Sequence, residues 1–282
     1  MLALFNKRRL SMTKVAFITG ATRGIGKACA LRLAAEGWNI VVAAKSTEED
    51  PRIPGTIYSA AEEIARLGVE VLPVRCNVRD GDEVRAAAQA TLDKFGWVDA
   101  VINNAGALWW RNMDETPLNR FDLVVGVNVR GAYAVTEAFL PALKAQGSGH
   151  VIMMSPPVDL EVVPGHIAYS VSKFGMTMIA LGLAEELKPY NIAATALWPK
   201  TVIESYATKN FGLGAPEIWR KADIVADATW EILAHPDKSN GRAVLDEEFL
   251  REVGYTDFDQ YLCVPGGTPL ELDKAIMRTA RS

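Results

Sequence analysis

Short apolar runs alternate with longer helix-like stretches along this chain. The runs fall at residues 15–18, 40–44, 69–74, 100–102, 150–154, 192–197 and 242–245. The helix-like stretches fall at 27–36, 56–67, 82–95, 117–143, 168–187 and 221–234. Runs that are apolar at nearly every position belong to strands covered on both faces, as in a parallel sheet. Strand and helix taken in turn predict right-handed crossovers. The expected fold is α/β: a Rossmann-type doubly wound parallel sheet of about seven strands, with helices on both faces, in a single domain.

No internal repeat and no second hydrophobic pattern indicates another domain. The domain is expected over 14–282, with its core at about 14–246. The stretch after that, with Pro265, Gly266, Gly267 and Pro269, reads as irregular wrapping. Residues 1–13, with Lys7, Arg8 and Arg9, read as a disordered leader, Met12 being an alternative start and organellar targeting another reading.

Composition narrows the class. The chain has 282 residues, is 49% hydrophobic and 23% charged, and carries a net charge of −4. That is ordinary for a globular protein and does not indicate a general nucleic-acid surface. No uninterrupted apolar stretch reaches the ~20 residues of a membrane span. Cys29, Cys76 and Cys263, like His150, His166 and His235, are scattered. They form no metal spacing and no disulfide framework, so a reducing compartment, the cytoplasm, is expected.

The first apolar run leads into Thr19-Gly20-Ala21-Thr22-Arg23-Gly24-Ile25-Gly26. Strand, glycine turn and helix in that order are the context in which glycines serve a nucleotide. Gly20 allows a tight turn. Gly24 and Gly26 leave no Cβ where backbone approaches a pyrophosphate and packs on the sheet, and the first N–H groups of the next helix face the phosphates. The spacing is GxxxGxG, which as an isolated motif is also an ordinary turn. After the second run come Ala43, Ala44 and Lys45, where NAD-preferring sheets carry an acid for the ribose 2′-hydroxyl. With no acid there, Lys45 and Arg23 are free to meet a 2′-phosphate, and NADP(H) is expected over NAD(H). Asn77, beside Val78, reads either as a contact to an adenine edge or as a turn residue opening a helix. Asn104, Ala105 and Gly106 end the fourth run with small residues that let a cofactor cross the strand tip. Trp109 and Trp110 read as a lid, an interface or core.

Tyr169 and Lys173 are spaced i, i+4 and share one helix face. A phenol has an unperturbed pKa near ~10. A neighbouring ammonium and a positive nicotinamide favour its phenolate, making Tyr169 a usable acid/base. Ser155 ends the fifth run and offers a hydroxyl to a carbonyl or carbinol oxygen. Asn128 falls mid-helix, where Asn has poor propensity, which hints at a local task such as a water relay to Lys173.

Together these motifs resemble the short-chain dehydrogenase/reductase family over about residues 14–267. More narrowly, Val42–Lys45, Gly55–Tyr58, Ser155–Pro157 and Leu197–Thr201 resemble a hydroxysteroid dehydrogenase-like branch in which a sterol-carrier domain follows the reductase. The resemblance implies that Ser155 positions the substrate oxygen, Tyr169 exchanges a proton with it, and Lys173 binds the nicotinamide ribose and lowers the Tyr169 pKa. It further implies that Asn128 holds a relay water, that Pro199 and Thr201 contact the cofactor, and that the protein is a homodimer or homotetramer. Two positions depart from the family's pattern. Asn77 stands where Asp is usual, and Lys200 stands where Gly commonly follows Pro199. Lys200 is therefore expected to adopt a negative φ and to turn away from the nicotinamide.

The leading expectation is an NADP(H)-dependent carbonyl reductase or alcohol dehydrogenase acting on a hydrophobic substrate. Specificity is expected in segments 109–113, 156–166 and 201–221. A cofactor-binding sensor or scaffold with little turnover, and a dehydratase or epimerase on the same fold, stay open.

Overall fold

The computed structural model describes residues 13–51, 53–210 and 212–274. The expected leader and the last eight residues lie outside that range. Seven parallel strands form one sheet: β1 (Val15–Thr19), β2 (Asn39–Ala44), β3 (Val71–Arg75), β4 (Ala100–Asn103), β5 (Gly149–Met154), β6 (Ile192–Trp198) and β7 (Ala243–Leu245), in the order β3-β2-β1-β4-β5-β6-β7. The order reverses between β1 and β4, which opens a crevice at the carboxyl ends of those strands.

Alternate residues of each strand feed opposite faces. Ala16 and Ile18 join a core with α1 (Gly24–Ala35), α2 (Ile57–Ala65) and α7 (Asp223–Ala234), numbering the main helices in chain order. Val15 and Phe17 join the opposite core with α3 (Gly81–Phe95), α5 (Ala132–Gln146) and α6 (Ile167–Glu186). Local chemistry sets the ends. Thr56 and Ser59 form a reciprocal capping box at the start of α2. Asp80 accepts from the first-turn N–H groups of α3, and Gly96 ends that helix at φ +82.

Two expectations need correction. The long stretch 117–143 is not one regular helix: α4 (Leu118–Val125) passes through a π-helical segment, Gly126–Gly131, into α5. The residues after 246 are not wholly irregular: α8 (Asp246–Glu252) opens them, and backbone hydrogen bonds order their far end. Two helical spans, Leu118–Gln146 and Ile167–Glu186, are long and apolar enough to cross a membrane by length and composition. Both give side chains to the sheet core, among them Phe139, Leu143 and Met176.

Candidate active site

The glycine turn and β4 are built as one unit. Gly20 takes φ +68 and donates its N–H to Ala43 O at 2.7 Å. The Asn104 amide donates to Thr19 O at 2.9 Å and Gly20 O at 3.2 Å. Thr19 Oγ1 accepts from the N–H groups of both Asn104 and Ala105 at 3.0 Å. A Cβ on Gly26 would overlap the Asn104 amide and lie 2.6 Å from Gly20 O. Gly26 is therefore demanded by this packing. Gly24 is the open position: its φ is +54, and a Cβ there would meet nothing within 4 Å. Gly24, Ile25 and Gly26 open α1, whose first-turn N–H groups lack helical acceptors. Thr22 is buried, and its carbonyl faces Gly55.

At the tip of β2, Lys45 is exposed. Arg23 is not free as expected. Its guanidinium donates to Ile53 O at 2.8 Å, Pro54 O at 3.0 Å and Ser46 Oγ at 3.0 Å. The extended backbone at Arg23, φ −163, swings the side chain onto that loop. Asn77 serves a turn: its Oδ1 accepts from Arg79 N at 3.2 Å and its N–H donates to Glu83 Oε2 at 2.8 Å. Val78 is buried, and a Cβ on Gly131 would lie 2.8 Å from its side chain.

Tyr169 and Lys173 do share a face of α6. Lys173 Nζ donates to Met154 O at 2.7 Å and lies 5.0 Å from the Trp198 ring centre. Tyr169 sits between two tryptophans, with ring centres at 6.0 Å from Trp110 and 6.4 Å from Trp198. Burial pushes the phenol well above its ordinary value and the Lys173 ammonium down to about 7. Within the chain alone, then, Lys173 does not pull the phenol down. Ser155 is fully buried at the end of β5, and its hydroxyl makes only a long bond, 3.4 Å, to Met153 O. Asn128 lies in the π-helical segment. It accepts from Ala107 N at 2.7 Å and donates to Ala107 O at 3.0 Å and Ser172 Oγ at 2.9 Å. Its side chain thus clamps the irregular segment after β4 to α6 through Ser172.

Pro199, Lys200 and Thr201 leave β6. Lys200 has no positive φ. Its N–H donates to Asp246 Oδ1 at 2.8 Å, and its ammonium lies 3.6 Å from Glu248. Thr201 Oγ1 is buried without a hydrogen-bond partner. Open space at Gly24, unsatisfied N–H groups at the start of α1 and an orphaned Thr201 hydroxyl across the sheet fit a dinucleotide laid over the strand tips.

A cavity of about 350 Å³ adjoins Tyr169 and Lys173, in the range of small-molecule sites. Pro156, Pro157, Val162 and His166 come from one expected specificity segment. Segment 201–221 does not line it. Its other walls are Phe174, Trp198, Leu245, Leu272 and neighbouring residues from the far end of the chain. Of the tryptophan pair, Trp110 packs beside Tyr169 and His166, at 5.2 Å from the latter ring. Trp109 turns away, under Arg120 and onto Thr116. The roles of Trp198 and Leu272 were not legible in spacing, because neither side chain titrates and their places on the cavity are set by the fold. Among the described residues no group of His, Cys, Asp or Glu is placed to hold a metal ion.

A doubly wound sheet with a glycine turn after β1, and a Ser, Tyr and Lys on the elements at its carboxyl edge, is the architecture of short-chain dehydrogenases. The short chain dehydrogenase family model matches residues 14–211, and this chain belongs to that family. It is 45% identical over 262 residues to hydroxysteroid dehydrogenase-like protein 2 of Homo sapiens, covering 91% of this chain and 62% of that one. The chain thus spans about 60% of the length of such curated relatives. Among solved structures, a short chain dehydrogenase from Mycobacterium thermoresistibile is 42% identical with a TM-score of 0.86, covering 92% of this chain and 93% of that one. A metagenomic short-chain oxidoreductase in complex with NADP is 27% identical with a TM-score of 0.69, covering 82% and 95%.

Proposed function

We propose that this protein is an NADP(H)-dependent oxidoreductase that interconverts a carbonyl and an alcohol on an apolar small molecule. The observation that carries this reading is Tyr169 and Lys173 lining one cavity at the carboxyl edge of the sheet. When bound, the nicotinamide supplies or accepts the hydride. The chain's own residues hold the substrate and manage the proton. Tyr169 gives its phenolic proton to the carbonyl oxygen in reduction and takes it back in oxidation. Burial keeps the phenol protonated, the form needed to donate. Ser155, held only by its long bond to Met153 O, has a hydroxyl able to turn to the substrate oxygen. Lys173 in its charged form stabilises the phenolate left behind, and the Met154 carbonyl keeps the ammonium at that end of β5. Asn128 positions α6 through Ser172.

The preference for NADP(H) rests on Lys45, exposed at the tip of β2 with Ala43 and Ala44 before it. Lys45, rather than the loop-bound Arg23, is the cation for a 2′-phosphate. The NADP complex of the metagenomic relative supports the same choice. Exposed Tyr133, Val171 and Met178 on α5 and α6 support self-association through those helices, as a homodimer or homotetramer.

The test is NADPH oxidation by the purified chain against apolar aldehydes and ketones, beside Tyr169→Phe. Turnover is expected to fall by at least ~10²-fold in the variant, with NADPH still bound. NADPH binding with no turnover of any carbonyl would instead favour a sensor role. Turnover that leaves the nicotinamide unchanged would favour a dehydratase or epimerase.

A further inference from the structure

The end of the described chain is sewn into the site. Thr268 N donates to Glu217 O at 2.8 Å and Leu270 N to Ile218 O at 3.0 Å. On the other side, Val202 N donates to Leu270 O at 2.9 Å and Leu272 N to Lys200 O at 2.9 Å. Thr201 and Glu271 form an antiparallel bridge. Residues 268–272 therefore run as a strap between the backbone leaving β6 and the loop before α7. Leu270 and Leu272 pack on a small cluster with Trp110, Val202 and Trp219. The strap itself lies beyond residue 211, where the family match ends, although it is tied back to Lys200, Thr201 and Val202 within the match.

The strap gives Glu271, Leu272 and Asp273 to the cavity. Leu272 adds to walls that are mostly apolar. The two acids join Asp159 and Glu248 on the same lining, four acids against Lys200 and the deep Lys173. Lys200 already faces Glu248 at 3.6 Å, and Glu271 is ion-paired to Lys274. Asp159 and Asp273 are exposed, so the excess negative charge sits at the mouth, away from half-buried Tyr169 and buried Lys173.

We propose that this strap is a specificity-determining wall that admits substrates with neutral apolar tails and disfavours those ending in an anion. Leu272 packs against the tail. Asp273, exposed at the end of the strap, repels a distal carboxylate or phosphate, and Glu271, paired with Lys274, adds less. The inference rests on the cavity being the substrate site of the proposed oxidoreductase.

The test pairs methyl 8-hydroxyoctanoate with 8-hydroxyoctanoate, which share a carbinol and a chain and differ by one distal charge. Binding to the full chain is read by quenching of tryptophan fluorescence, since Trp110 and Trp198 flank Tyr169, and needs no turnover. The ester is expected to bind about five-fold tighter than the acid, as exposed like charges give modest effects. The double variant Glu271→Gln, Asp273→Asn is expected to bring the ratio to within about two-fold on the same grounds. Leu272→Trp is expected to weaken the ester without moving the thermal midpoint. Equal binding of ester and acid, a ratio unchanged in the double variant, or binding of neither ligand overturns the inference. Oxidation of the ester with NADP+ is scored separately. Discrimination without oxidation would retain the strap and reject the reaction, and oxidation without discrimination would do the reverse.

Discussion

Lys173 Nζ stands 5.9 Å from the ring centre of Tyr169, one helical turn away, yet donates to the Met154 carbonyl and not to the phenol. Burial drives the two groups in opposite directions, the phenol up and the ammonium down to about 7. Between those limits both are neutral. A base whose folded pKa is depressed opposes folding progressively as pH falls from its unfolded value to its folded one. For Lys173 that window runs from 10.5 to about 7.

Lys173→Met should therefore gain stability relative to the parent as pH is lowered from 10 to 7, with no further gain below. Carbonyl turnover should be lost in the same variant. Urea midpoints at several pH values check the first part. A constant difference across the window would mean that Lys173 remains charged throughout.

Asn128→Ala tests whether this residue is a clamp or only a proton relay. Its removal leaves the Ala107 N–H and carbonyl without the partners they have now. A buried group left unpaired costs roughly 1–3 kcal/mol, and Ala107 is only half-buried, so a loss of about 1–3 kcal/mol in denaturant unfolding is expected, together with lower turnover. Reduced turnover at unchanged stability would return Asn128 to the relay role.

The sheet was readable because its central strands are buried on both faces and so appear as apolar runs bounded by helix and turn chemistry, while the half-buried edge strand β3 still keeps enough apolar residues to show. The glycine turn and the Tyr169–Lys173 pair were readable because each is local, fixed by neighbours or by the helical period. What escaped depends on contacts distant in sequence. Arg23 looks available until the loop at Ile53 and Pro54 comes round to accept its guanidinium. The clamp that Asn128 makes on Ala107 and Ser172 has no signature in spacing, because the π-helical segment aims its side chain there. Leu272 and its strap carry no motif at all, because backbone hydrogen bonds to Lys200 and Ile218 place them.

Lys45→Asp should weaken NADPH binding and raise relative use of NADH. The substitution removes an exposed cation and sets a carboxylate against the 2′-phosphate. A loss of about ten-fold or more in NADPH affinity is expected from that reversal, with NADH affinity little changed. Arg23→Ala should instead lower stability modestly, through the released loop. Equal affinity of the parent for NADH and NADPH would count against the phosphate reading at Lys45.

The glycines separate two kinds of constraint. Gly26→Ala drives a Cβ into Asn104 and Gly20 O, both tied into the turn, so folding and cofactor binding should fail together. Gly24→Ala meets open space but keeps φ at +54, a strain of about 1–2 kcal/mol. The Gly24 variant should fold and bind more weakly. Equal damage from both, measured by thermal unfolding and NADPH titration, would contradict this division.

Asp246 holds the backbone that leaves β6. Its Oδ1 accepts from Lys200 N at 2.8 Å and Glu247 N at 2.7 Å, while Oδ2 is buried without a hydrogen-bond partner. Burial raises the carboxyl from 3.8 to about 6, against the pull of those N–H groups and of Arg220. An acid with a raised folded pKa contributes stability below its unfolded value and loses it as pH rises through the folded one. The parent should thus lose stability between pH 4 and 6 and stay lower above that window. Asp246→Asn keeps an oxygen for both N–H groups and removes the charge, so its thermal midpoint should exceed the parent's at pH 8 and show less change between pH 4 and 6. Asp246→Ala leaves the Lys200 N–H unpaired at every pH. It should lower stability by roughly 1–3 kcal/mol and weaken NADPH, because Pro199, Lys200 and Thr201 lose their anchor. If Asn and Ala at this position weaken NADPH equally, the charge of Asp246, rather than its hold on Lys200, sets the path of that segment.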